Sequence, residues 1–164
     1  MHSDSWVGVP YEQCPPDMQH NIRVIGRMDA YWEAMRENGR RLAAYVDSLF
    51  LGQPIDKPTA LPVPAVDDPE MEYMMGDPAA AARKLADLVN GLDAAAIAAV
   101  AADWEMEISR KAKYLAYNRK ALEKRHRKGA EQKEIDRVKK LITDGEEEVA
   151  FLQPRIEWAT SQLS

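Results

Sequence analysis

The chain has 164 residues, of which 46% are hydrophobic and 30% charged, and a net charge of −5. This length supports one domain with a core and barely two, and the balance excludes an intrinsically disordered chain. The modest net charge hides a segregated distribution. Residues 1–109 hold 8 basic and 18 acidic side chains, 110–128 hold nine basic and one acidic, and 131–164 hold 5 and 8.

Residues 1–21 contain Pro10, Pro15 and Pro16 and no helical period, which predicts an extended N-terminal arm. The arm lacks the basic flank and apolar stretch of a signal peptide. Cys14 is the only cysteine and can form no internal disulfide. Both features point to a cytoplasmic protein, or part of an intracellularly assembled particle, that is not secreted by a signal peptide.

A helix is predicted over 22–51. Ile25, Met28, Trp32, Met35, Gly39, Leu42, Val46 and Leu49 recur at alternating steps of three and four, which lays them on one stripe. Pro54, Pro58, Pro62, Pro64 and Pro69 then fall within sixteen residues. That density excludes helix and central strand and predicts an extended connector over 52–77, lying on its own domain or on a neighbour's.

Residues 78–164 read as a short helix followed by a long helical hairpin. Asp77-Pro78 supplies an N-cap and a proline at the first helical position, and Asn90-Gly91 supplies a stop. Asp93 caps the next helix, whose stripe is Ile97, Ala101, Trp104, Ile108, Ala112, Leu115, Arg119 and Leu122. A further stripe, Ile135, Val138, Ile142, Gly145, Val149, Leu152, Ile156, Ala159 and Leu163, is out of phase with the first. The phase break predicts a turn at Lys128-Gly129 and an antiparallel, coiled-coil-like hairpin. Pro154 should kink or shorten its second arm. The longest apolar run, Ala94–Ala102, is nine residues, where a bilayer span takes about 20, so no membrane contact is expected. The fold expected is therefore all-α, a helical bundle with a long C-terminal hairpin and extended Pro-rich arms. Its Ala-rich interior implies close helix approach and little room for a ligand.

The strongest chemical feature is the basic segment. Arg110, Lys111, Lys113, Arg119, Lys120, Lys124, Arg125, Arg127 and Lys128 face one acid, Glu123, with Tyr114 and Tyr117 interleaved. Cations beside aromatic rings suit phosphates and bases. Cations also suit a helix C-terminus or an acidic protein surface. Trp6 in the arm and Trp158 off the last stripe are candidate anchors for a protein partner, whereas Trp32 and Trp104 are expected in the core. The methionine-rich Glu70–Met75 is either an adaptable contact surface or the cover of a small core.

Other patterns fall short of a site. Glu123 and His126 form one E-x-x-H half-motif, but a carboxylate-bridged metal pair takes a second one and two further glutamates. Cys14 and His20 sit on no defined element, and the scattered glycines draw no phosphate loop. Asp103, Glu105 and Glu107 read as a solvated acidic face. No catalytic residue, metal ligand or cofactor is expected. The chain reads as a non-enzymatic structural or assembly subunit of a larger multi-subunit complex, viral or nucleoprotein in kind. Its partners would be other subunits or copies of itself. The alternative is a nucleic-acid-binding helical protein that uses 110–128.

Overall fold

A computed structural model describes residues 8–66 and 76–164, so Trp6 and the run Glu70–Met75 lie outside the described residues. Among the described residues the regular structure is all helical. A 3-10 turn, Tyr11–Gln13, precedes α1 (Pro16–Phe50), α2 (Pro78–Gly91), α3 (Ala94–Arg127) and α4 (Gln132–Leu163). None of these helices is by itself long and apolar enough to cross a membrane. The chain divides into two compact units, one of Met1–Arg41 with Pro58–Asn90, the other of Leu42–Lys57 with Gly91–Ser164.

Helix α1 begins six residues before the periodicity predicts, so 16–21 are helical rather than part of an extended arm. Proline is well placed at a helix start because its missing N–H would have no partner there. The Gln19 amide then ties the preceding turn down, donating to Tyr11 O at 3.0 Å and Cys14 O at 3.1 Å. Leu42 and Val46 of the predicted stripe are buried, but nearer the start of α1 the buried positions, Tyr31 and Asn38, stand one residue before the predicted Trp32 and Gly39. Tyr31 is 2% exposed and Trp32 is 42% exposed, so Trp32 is not a core residue. Tyr31 takes the inner place because its hydroxyl donates to Pro78 O at 3.0 Å, leaving Trp32 edge-on against its ring.

In the first unit, Tyr31 and Val66 form a small core with Met28, Met35, Val63 and Ala82 against them. The segment 58–66 is a strap held by its main chain. Asn38, fully buried, donates from Nδ2 to Leu61 O at 3.1 Å and accepts from Leu61 N at 2.7 Å. Arg41 Nη1 donates to Thr59 O at 2.7 Å, and Asn90 Oδ1 accepts from Ala60 N at 3.0 Å. The prolines at 58, 62 and 64 carry no N–H, and the two N–H groups that are used belong to residues between them. Asp77 Oδ1 accepts from Ala80 N and opens α2.

In the second unit α3 and α4 lie side by side and antiparallel. Lys111 meets Glu148, and a Cβ on Gly145 would stand 2.8 Å from Leu115 Cδ2. Helix α3 opens on Asp93, which accepts from Ala95 N. It closes on Gly129 at φ +66, with Gly129 N bonded to His126 O and Ala130 N to Arg125 O. This paired closure satisfies carbonyls that a helix end leaves open, and glycine reaches its left-handed conformation without strain. Helix α4 buries Ile135, Val138, Gly145, Leu152 and Ala159, all on the predicted stripe. Helix α3 departs from its own stripe: Asn118 is buried, while Ala112 and Arg119 are exposed. Val100 and Asn118, both buried, stand eighteen residues or five turns apart, so the inner face of α3 is offset from the predicted stripe along its length.

Pro154 does not end α4, which continues to Leu163. The next residue, Arg155, is 7% exposed on a face the pattern gives to apolar residues. Its Nε donates to Asp47 Oδ1 at 2.5 Å and its Nη1 to Phe151 O at 2.9 Å. The guanidinium lies 3.6 Å from the Phe151 ring centre and 4.6 Å from that of Phe50. A planar, weakly hydrated cation between two rings is buried at modest cost.

Candidate interaction surface

The basic segment occupies the second half of α3, and its cations are not equivalent. Near its start the charges are matched. Arg110 pairs with Glu107 at 3.1 Å on its own helix, Lys111 with Glu148 at 2.6 Å and Arg119 with Glu146 at 3.1 Å, the last two across to α4. The Glu148 carboxylate raises the Lys111 pKa above its ordinary value, and the Lys111 ammonium also lies 5.3 Å from the Tyr114 ring centre.

Beyond Arg119 the matching stops. Lys120, Lys124, Arg125, Arg127 and Lys128 make no ion pair among the described residues, and neither does Lys113. Between 120 and 140 the sequence carries nine Lys or Arg and four acids, so the turn end of the helix pair is strongly positive. Three of the cations, Lys124, Arg125 and Arg127, lie in the last turn of α3, where the helix dipole favours positive charge. Tyr117, Lys120, Lys124, Arg125 and Lys128 line an open cleft of about 560 Å³. Tyr117 is 73% exposed, a flat apolar face with cations around it.

The sequence-derived candidates thus separate. Lys120, Lys124, Arg125, Lys128 and Tyr117 come together, whereas Arg110, Lys111 and Arg119 are engaged by their own chain's acids. Trp158 is half-buried and meets Phe50 edge-on at 5.9 Å. Among the described residues no group of three or more His, Cys, Asp or Glu is placed to hold a metal ion. Cys14 is buried with its thiol directed at Pro10 O, and His20 is exposed.

A second cleft, about 600 Å³, was not legible in the sequence. Glu107 from α3 and Asp144, Glu147 and Glu148 from α4 surround Phe151 and Leu152. The acids come from two helices, so no local run announces them. The chain matches no family model, no curated protein and no solved structure.

Proposed function

We propose that this protein is a non-enzymatic assembly subunit that docks the basic end of its α3–α4 hairpin, a coiled-coil-like strut, onto an anionic surface in a larger complex. The observation that carries this reading is the run of unmatched cations from Lys120 to Lys128 around an open cleft. A purely solvated helix face would be expected to scatter its charge or match it internally, as the same helix does at Arg110, Lys111 and Arg119. Unmatched like charges held together repel one another, and an anionic partner relieves that repulsion. Such a subunit belongs in a particle assembled inside a cell.

Tyr117 gives a second reading a specific footing. An exposed ring beside Lys120 and Lys124 suits a nucleic acid, with cations on phosphates and the ring against a base. Both readings are tested with the triple variant Lys120→Glu, Lys124→Glu, Lys128→Glu, all at exposed positions. Fluorescence anisotropy of labelled oligonucleotides at about 50 and 200 mM salt reads the second: binding that weakens steeply with salt and vanishes in the variant supports it. Size analysis of the protein and its co-purifying partners reads the first. A variant that associates and binds as the wild type does would overturn both.

A further inference from the structure

We infer that the anionic surface met by the basic cleft is supplied by a second copy of this chain, through the acidic cleft around Phe151. This deepens the docking reading above and rests on it. The two clefts have complementary contents. One gathers Lys120, Lys124, Arg125 and Lys128 beside the exposed ring of Tyr117. The other gathers Glu107, Asp144, Glu147 and Glu148 beside Phe151, which is 57% exposed. Glu107 and Glu148 already hold Arg110 and Lys111. Asp144 and Glu147 have no cation partner among the described residues.

The clefts also share a face of the helix pair. Glu107 lines the acidic cleft and Arg125 the basic one, and eighteen residues separate them on α3. On α4, Glu134 lines the basic cleft and Leu152 the acidic one, again eighteen apart. Eighteen residues make five whole turns, about 27 Å, so each pair leaves its helix on the same side. Two patches of opposite sign on one face have a simple closed solution. Take a two-fold axis lying across the helix pair midway between the clefts. Rotation about it turns a second copy over and reverses its helices, setting each basic cleft on the other copy's acidic cleft. The contact is made twice and closes, leaving no free end.

The test uses the full chain in sedimentation velocity at about 50 and 500 mM salt, where screening separates an ionic dimer from an apolar one. Wild type should sediment as a dimer at low salt and shift to monomer at high salt. The basic-cleft variant (Lys120→Glu, Lys124→Glu, Lys128→Glu) and an acidic-cleft variant (Asp144→Lys, Glu147→Lys) should each be monomeric with unchanged helicity. Mixed in equal amounts, they should form a heterodimer, since every contact then regains opposite signs. A wild type that stays monomeric at low salt, that forms open-ended chains, or whose two variants do not pair on mixing overturns the inference. If the wild type is monomeric yet binds an oligonucleotide through Lys120, Lys124 and Lys128, self-pairing fails while the docking reading stands. If the reversals change neither association nor oligonucleotide binding, both fall.

Discussion

The two units of this protein are held by different means. In the α3–α4 pair, side chains meet side chains: an apolar seam through Leu115, Val138 and Leu152, a close approach at Gly145, and the Arg155 cluster. In the first unit much of the order comes from side chains gripping a main chain, with Asn38, Arg41 and Asn90 fixing three consecutive residues of the strap. An apolar seam spreads its stabilisation over many small contacts. A polar grip concentrates it in a few groups, and a buried donor or acceptor left without a partner is costly. The first unit should therefore fail locally and the second cooperatively.

The largest effect is expected at Arg155. Arg155→Ala removes both the partner of Asp47 and the filling between Phe50 and Phe151, and should cost about 3 kcal/mol in urea unfolding. If the second unit does fail as a whole, exchange protection should drop throughout α3 and α4. Next comes Asn38→Ala, which strips both bonds from Leu61 and should cost about 2 kcal/mol. Here the faster amide exchange should stay confined to the strap and its contacts, and a loss spread over both units would break the contrast. Gly145→Val forces a branched side chain against Leu115 and should cost about 1–2 kcal/mol. Gly145→Ala should be near neutral, because crowding is offset by its better helix propensity of about 1 kcal/mol.

A modest effect is expected at Tyr31, whose pKa is raised by burial and, secondarily, by the Asp77 carboxylate. A raised folded value means that the neutral phenol is the form the fold holds. Its contribution is therefore complete below about pH 10, the ordinary value for tyrosine, and is lost as pH rises through the folded value. Tyr31→Phe should cost about 1 kcal/mol at neutral pH. In a spectroscopic titration it should remove one tyrosine that ionises above the ordinary value.

Much of the second unit was written in local signals. The phase break between Leu122 and Ile135, with a glycine inside it, places the turn, and the α4 stripe names its buried residues except Arg155. Asp77 and Asp93 cap as their positions before Pro78 and Ala94 imply. What escaped sequence reading depends on partners far along the chain. Trp32 and Tyr31 compete for one inward position, and the Pro78 carbonyl decides between them. A buried arginine looks, in sequence, like any solvated one until Asp47 and two phenylalanines surround it. The basic run was visible, but which of its cations stay unmatched depends on where Glu146 and Glu148 fall across the seam. The acidic cleft needs that same register before Glu107 can join Asp144 and Glu147.

The strap also sets an unusual rule for sequence drift. Because Thr59, Ala60 and Leu61 are held by their backbone atoms, the identity of the side chain at 59 or 60 is nearly free. Proline is the exception at 60 and 61, since it would delete the N–H that Asn90 or Asn38 accepts. A saturation library across this protein should therefore show an inverted map. Positions 59 and 60 of the extended peptide would accept most replacements, and the intolerant positions that hold the strap would sit on the helices, at Asn38 and Asn90.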